Sequence, residues 1–264
     1  MEIFYIIILF LIGSCFGSFY LVISTRLPKK ENAIFTRSKC DKCHKKLNWY
    51  ELIPLFSYLF LKGKCSKCKN KINPLNFIVE LVTGFFFAFS YFYYGISYEM
   101  FMFIIVTSLL ITIFITDFQE YIILDSPLII SSILIIILDL IYFDYKYILV
   151  HVLSGIGLFI TMLLIKLIGD KVFKKESLGG GDIKLSFVIG LIVGFRLGLC
   201  VLILSTFLAL PYSVAYLMYK KNNEVPFGPF LIASLFIVYI YMDKFNNLLN
   251  LILILARCYH WADY

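Results

Sequence analysis

The sequence predicts an all-α polytopic membrane protein, with about eight transmembrane helices and one small cysteine-rich loop domain. Three observations carry that prediction. Of 264 residues, 61% are hydrophobic and 16% charged, with a mean hydropathy of +0.89; a soluble domain of this length carries nearer a quarter charged residues. The apolar residues fall in runs long enough to cross a bilayer core as helix, which takes about 20 residues. The lysines and arginines collect on one side of those runs. Seven cysteines in 264 residues are too few for a disulfide-stapled secreted scaffold. The sequence has no Gly-x-y repeat, heptad array or Pro/Ser-rich linker, which excludes fibrous and disordered classes.

In order, the apolar runs are 3–23, 77–94, 100–116, 122–142, 147–169, 183–196, 198–219 and 227–242. Ile12-Gly-Ser-Cys15 in the first run resembles a lipoprotein cleavage box. The residues ahead of it carry Glu2 but no Lys or Arg, so a span is preferred to a signal peptide. The sixth and seventh runs form one apolar stretch, divided at Gly194-Phe-Arg-Leu-Gly198. Unbroken from 183 to 219, it would be about 55 Å long at ~1.5 Å per residue, too long for one crossing. The tail from Phe245 to Arg257 is apolar but short, and reads as an interfacial or packed half-helix.

Charge orients the chain. If loop 26–76 is cytoplasmic, alternation places 117–121, 170–182 and 220–226 on the same side. These segments and their borders hold 13, 0, 5 and 2 Lys/Arg, which is 20 of the 24. Lys146, Arg196, Lys244 and Arg257 fall outside them. The positive-inside rule therefore puts the N-terminus outside and the loop inside. The formal charge of +7 is a topology signal and a contact for anionic lipid. Nucleic acid is not expected as a partner, because the basic loop contains no recognisable reading module.

The loop contains Cys40-Asp-Lys-Cys43 and Cys65-Ser-Lys-Cys68, separated by 21 residues. Two such knuckles bring four thiolates to the corners of a tetrahedron, as structural zinc requires, and nearby lysines favour the thiolate form. Cys40-Asp-Lys-Cys43-His44 also matches the c-type haem pattern, but the second knuckle is followed by Lys69. Redox or disulfide use is the other alternative, disfavoured on a reducing cytoplasmic side. Structural zinc on Cys40, Cys43, Cys65 and Cys68 is preferred, with His44 a solvated loop residue. Cys15, Cys200 and Cys258 read as packing thiols.

Carboxylates inside spans are costly and so are functional candidates. Glu2, Asp139, Asp144, Asp243 and Asp263 lie near outer ends or in the outer tail, where water solvates them. Glu99 is in a short outer loop, and Glu80 is placed to snorkel or pair with a loop lysine. Asp117 ends the third span and Asp182 opens the sixth, both at the inner edge. Two carboxylates brought face to face retain one proton between them. The ionised one then takes a proton from water while its neighbour donates one to a carbonyl oxygen. Gly179, Gly180 and Gly181 let backbone approach a substrate closely or take positive φ before a helix. The alternative is that Asp182 only caps its helix, with the glycines as a connector. Asp125 lies just within a span, and Lys184 is either a snorkelling anchor or a modulator of Asp182.

At these residues the chain resembles the bacterial prepilin peptidases, membrane aspartyl proteases of the Gly-x-Gly-Asp class. Gly17-Ser-Phe19 with Arg26-Leu-Pro28 is similar to the family's opening signature. The paired Cys-x-x-Cys loop, with Glu51-Leu-Ile-Pro54 and Ser57-Tyr58 between the knuckles, is similar to its cytoplasmic domain. Gly179-Gly-Gly-Asp-Ile-Lys184 matches the Gly-x-Gly-Asp-x-Lys element, and Val225-Pro-Phe-Gly-Pro-Phe230 matches the segment opening the last span. The resemblance implies that Asp117 and Asp182 are the catalytic pair, with Gly179, Gly180, Gly181, Lys184 and Asp125 supporting. It implies type IV prepilin or pseudopilin precursors as substrates, their leaders cut after a glycine at the cytoplasmic face of the inner membrane. It also implies methylation of the new N-terminus with S-adenosylmethionine, an activity linked to the cysteine loop and to Gly63-Lys64. Three elements depart from the family's pattern. Ile123-Leu124-Asp125 stands for Ile/Leu-Pro-Asp, Leu21 for an Asn, and the segment before Val79-Glu80 lacks Arg-Tyr-Pro.

The expected organisation is a first span over 1–25, a zinc loop over 26–76 and a transmembrane peptidase domain over 77–264. A non-catalytic adaptor docking a partner through the zinc loop is the alternative. A proton-relay transporter is disfavoured, because both aspartates sit at the inner edge and the halves show no repeat.

Overall fold

The structure, a computed structural model, describes residues 2–32, 36–40, 42–174, 176–219 and 226–262. The described chain is helical, with two isolated β-bridges and no strand. It divides into two compact units, Met1–Pro127 and Leu128–Tyr264.

In the first unit, α1 (Glu2–Arg26) packs antiparallel on α3 (Pro74–Tyr94) through glycines. A Cβ on Gly13 would lie 2.7 Å from that of Phe87, and one on Gly17 would lie 2.9 Å from the Val79 carbonyl oxygen. Gly84 meets Ser14 and Phe10 in the same way. This is close Gly-xxx-Gly packing, which suits a lipid setting where backbone contact replaces the hydrophobic drive. The third long helix, α4 (Tyr98–Glu120), runs in the direction of α1: Tyr20 Oη donates to Ser108 Oγ at 2.7 Å, and Leu21 packs with Ile111 and Ile115. Of its most apolar stretch 67% is buried, against 17% for α1, so α4 is the centre of this unit. Its ends are set locally. Ser97 Oγ accepts from the Met100 N–H at 3.3 Å, and Tyr121 takes a left-handed turn (φ +54°) whose N–H bonds the Asp117 carbonyl. α3 opens on Pro74 with the Asn73 side chain accepting from Leu75 N–H at 3.0 Å. The cysteine loop, which contains α2 (Phe56–Phe60), thus leaves and re-enters the unit at the end where α4 finishes.

The second unit takes α5 (Asp125–Tyr142) from Leu128 onward, then α6 (Tyr145–Phe173), α7 (Gly180–Tyr219), α8 (Gly228–Ile240) and α9 (Met242–Ala262). α6 and α7 touch at backbone distance: a Cβ on Gly190 would lie 2.5 Å from the Gly155 Cα. α7 spans 40 residues in two helical arms that meet at Gly194, where φ is +76° and ψ 176°. Asp182 and Thr206 line one cavity, whereas 24 residues of straight helix would hold them about 36 Å apart. The chain therefore folds back at Gly194, the break expected at 194–198, and only glycine takes that φ without strain.

Among the described residues, six helices are long and apolar enough to cross a membrane, or seven if α8 and α9 count together. The difference from the expected eight has two sources. α7 joins the sixth and seventh runs, and α8, with 13 residues, bends by 87° into α9. The tail, expected as a half-helix over Phe245 to Arg257, is a longer helix of 21 residues from Met242, turned sharply away from α8. Among the carboxylates, Asp139 is placed differently from expectation. Asp139, expected to be solvated at an outer end, is 1% exposed, because it lies on the α5 face that buries Leu128, Ser131 and Ile135. These positions recur at three- and four-residue intervals and share one helix face. Asp263 lies outside the described residues.

Candidate functional site

The two cysteine knuckles adopt the same local turn, offset by 25 residues in number. In each, the first cysteine's N–H bonds a carbonyl five residues on (Cys40 to Lys45 at 3.0 Å, Cys65 to Asn70 at 2.8 Å). The residue after the second cysteine takes positive φ, His44 at +52° and Lys69 at +57°. His44 is exposed and fills a backbone role that a lysine fills equally, so nothing there requires an imidazole. The four Sγ atoms lie within 4.8 Å of one another, with Cys40–Cys68 at 3.8 Å and Cys43–Cys65 at 3.9 Å. A tetrahedral ion with metal–sulfur bonds of about 2.3 Å spaces its sulfurs by about 3.8 Å, whereas a disulfide needs about 2.05 Å. Cys40, Cys43, Cys65 and Cys68 thus form a cluster fit to hold a metal. The N–H groups of Cys68 and Lys67 bring the Cys65 thiol down to about 6, while its neighbour Cys68 is pushed up to about 11, so Cys65 is the first of the two to ionise.

Between the knuckles, Glu51 ties the loop together. Its carboxylate accepts from the Asn48 N–H at 2.8 Å, from Lys45 Nζ at 2.9 and 3.1 Å, and from the Ser66 hydroxyl. Lys45 Nζ also donates to Ser66 Oγ at 2.7 Å, closing a ring across both knuckles. The Asn48 N–H first, then Ser66 and Lys45, hold the Glu51 carboxyl down at about 2. The Asn48-x-x-Glu51 spacing is a capping-box pattern readable in the sequence; its link to Ser66 is not.

The loop is fastened to the membrane helices of its unit at two points. Glu80 of α3 accepts from the buried Leu55 N–H at 2.8 Å. Tyr58 stacks on Phe77 with ring centroids 5.1 Å apart. Glu80 therefore neither snorkels nor pairs with a lysine, because a main-chain donor reaches it first. Gly63, at φ +65°, lies against the Tyr58 ring, where a Cβ would come within 2.9 Å. Gly63 is thus explained by the turn into the second knuckle, and Lys64 beside it is exposed. These two residues by themselves form no cradle for a methyl donor.

Asp117 lies in the last turn of α4 and is 5% exposed, at the same end of its unit as the cysteine loop. Asp182 belongs to the second unit and is 7% exposed. It is the third residue of α7, inside the first turn, and so is not the helix cap. A Cβ on Gly179 would lie 3.2 Å from Asp182 Oδ2, while one on Gly180 would meet open space. Among the described residues the glycines at positive φ are Gly63, Gly95 and Gly194, so close approach is what Gly179 serves. Gly181 continues the first turn, Lys184 is exposed one position beyond Ile183, and Asp125 is exposed as the first residue of α5.

Sequence reasoning missed the support behind Asp182. Asp170 of α6 accepts from the Ser177 N–H at 2.6 Å and from its hydroxyl at 2.8 Å. That pins the connection from α6 to α7 against Gly169, where a Cβ would lie 2.5 Å from Ser177 Oγ. The contact joins residues seven apart around a chain reversal, and no periodicity signals it.

Two family models match the chain. One, described as the bacterial peptidase A24 N-terminal domain, covers residues 11–94, which include all four clustered cysteines. The other, described as the type IV leader peptidase family, covers residues 104–214, which include Asp117 and Asp182. A prepilin leader peptidase/N-methyltransferase of Bacillus subtilis is 32% identical over 246 residues, 90% of this chain and 94% of that protein. One from Vibrio cholerae is 31% identical over 256 residues, 90% and 98% of the two chains. One from Myxococcus xanthus is 29% identical over 203 residues, 76% and 59% of the two. No solved structure matches the chain. With nine-tenths of its length aligned to such relatives, and with the cysteine cluster and the buried aspartates each inside its own family match, the chain belongs to the type IV leader peptidase family.

Proposed function

We propose that this chain is a membrane aspartyl endopeptidase that removes the leader of prepilin-like precursors, with Asp117 and Asp182 as the catalytic pair. The observation that carries this reading is the burial of both aspartates at helix ends within the stretch similar to the peptidase family. One carboxylate, ionised, takes a proton from the attacking water. The other, protonated, gives its proton to the carbonyl oxygen of the scissile amide. Collapse of the tetrahedral adduct breaks the C–N bond, and the amine leaves with a proton returned through the pair. Gly179 leaves room beside Asp182, and Lys184 and Asp125 act as supporting residues outside the proton path.

The cysteine cluster is read as structural Zn2+, because four protein thiolates close the coordination shell and leave no open position for a reacting group. The relatives named prepilin leader peptidase/N-methyltransferase support a second activity, methyl transfer from S-adenosylmethionine to the new N-terminus. The lysine and arginine distribution supports an inner-membrane protein with its N-terminus outside, its zinc loop and aspartates at the cytoplasmic face, and anionic lipid around the basic loop. The expected parts, a first span over 1–25, a zinc loop over 26–76 and a peptidase domain over 77–264, are retained as a functional division.

Co-expression with a prepilin-like precursor tests the reading. Wild type converts the precursor to the shorter product, and Asp117→Asn and Asp182→Asn each abolish conversion at unchanged protein level. Cleavage by both variants would discard the pair, and a wild type inactive on a panel of precursors would favour the adaptor.

A further inference from the structure

Between the cysteine knuckles, the segment from Trp49 to Phe60 turns large apolar side chains away from the protein. In α2, Phe56, Leu59 and Phe60 stand at the i, i+3 and i+4 positions of one face, and all three are exposed, Phe60 at 83%. Tyr58 lies off that face and stacks on Phe77 of α3. The short 3-10 helix Trp49–Leu52 ahead of it adds Trp49, 78% exposed, and Tyr50. Single exposed apolar residues are ordinary on a soluble loop, but a run of them marks a contact surface. Exposed lysines follow at once: Lys62, Lys64, Lys67, Lys69 and Lys71. None of these forms an ion pair among the described residues.

The two fastenings to α3 fix the depth of this surface. Phe77 lies in the first turn of α3. Glu80, which holds the Leu55 N–H, lies six residues past Pro74, about 9 Å along the axis at ~1.5 Å per residue. α2 therefore sits beside the first turns of the membrane helix and not beyond its end. At that level α3 itself exposes Ile78 and Leu81, and outward apolar residues of a helix that crosses a bilayer face lipid. We infer that the Trp49–Phe60 segment is a bilayer-interface anchor: Phe56, Leu59 and Phe60 enter the acyl boundary of an anionic phospholipid leaflet, Trp49 and Tyr50 sit among the headgroups, and the lysines that follow meet lipid phosphate. Indole and phenol rings favour the headgroup level, and an apolar face of this kind beds into the boundary below it. Lysine stems are long enough to keep the ammonium at the phosphates. A soluble partner would have to displace lipid to cover the same face. The inference deepens, and rests on, the reading that α3 crosses a membrane with anionic lipid around the basic loop. Because the anchor lies between the knuckles, it holds the cysteine cluster at a set height over the membrane surface.

The test reads tryptophan emission from the full-length protein reconstituted in liposomes. The chain has two tryptophans, Trp49 and Trp261. Trp261→Phe leaves Trp49 as the probe. In a background with Trp49→Phe and Trp261→Phe, Phe60→Trp or Ile78→Trp moves the probe to α2 or to α3. Phospholipid brominated in its acyl chains quenches rings that reach it, and acrylamide quenches rings that face water. The probe at 60 loses most of its emission to brominated lipid and little to acrylamide, as the probe at 78 does, while Trp49 loses less to the lipid. Replacing phosphatidylcholine by phosphatidylglycerol increases the loss at 60, and Lys67→Gln together with Lys69→Gln removes that increase. Inorganic phosphate added to phosphatidylcholine liposomes does not reproduce it. A probe at 60 open to acrylamide would overturn the anchor, as would one closed to both quenchers, which a covering protein segment produces. Quenching indifferent to phosphatidylglycerol, or matched by inorganic phosphate, would overturn the role given to the lysines. Where Phe60→Trp lowers the thermal midpoint, Leu59→Trp is read in its place. A probe at 78 that brominated lipid fails to quench would instead defeat the reading of α3 as a span, so the two failures are separable.

Discussion

Replacing Glu80 by Ala tests how the cysteine loop is held to the membrane helices. In the native structure the Leu55 N–H is buried and its acceptor is Glu80 Oε2 at 2.8 Å. Leu55 also holds φ +62°, a region costly to leucine, so this residue stays in place only because its surroundings fix it. Removing the carboxylate leaves a buried donor without a partner, at a cost of about 1–3 kcal/mol. At about 1.4 kcal/mol per factor of ten, local opening at Leu55 becomes ~5 to ~150 times more frequent. Hydrogen exchange followed by mass spectrometry on detergent-solubilised protein reads this directly at the peptide containing Leu55. Glu80→Gln keeps an amide oxygen in place and should recover most of the protection. The N–H groups of Cys40 and Cys65 are internal to their knuckles and should keep their protection in both variants. Equal exchange at Leu55 in wild type and Glu80→Ala would refute the tether. So would knuckle amides that accelerate as much as Leu55, since the loss would then be general unfolding.

Two further outcomes follow from contacts inside each unit. Glu51 titrates near 2 in the folded loop against an ordinary value of 4.5, so its contribution is fully present above about 4.5 and is lost as pH falls toward about 2. The stability difference between wild type and Glu51→Gln, measured as loop protection at matched zinc, should therefore shrink across that window; a pH-independent difference would contradict the network. Gly190→Leu drives a side chain into the Gly155 backbone of α6, where overpacking costs at least about 1–3 kcal/mol. Its thermal midpoint in detergent should fall well below that of Gly180→Ala, where a Cβ meets open space.

The residue pattern by itself determined the broad architecture and the chemistry on offer. Apolar run length fixes helices in lipid, because every backbone group there must be satisfied within its own segment. Cys-x-x-Cys spacing determined the knuckles, because each turn closes within a few residues, as the matching bonds of Cys40 and Cys65 show. The break near Gly194 was legible for the same local reason, a helix too long for one crossing. Asp117 and Asp182 stood out because both fall at the inner edge of their spans, with three glycines ahead of Asp182, yet the sequence left Asp182 open as a simple helix cap. Only the tertiary structure decided the rest. Glu80 is met by a main-chain N–H 25 residues earlier, a partner with no sequence signature. Asp139 turns inward because of the face α5 presents, which composition near a span end does not encode. The pin of Ser177 on Asp170 and the cavity beside Asp182 both depend on chain reversals. In each case the decisive contact joins groups whose own preferences are ordinary, and their meeting is set by how helices pack.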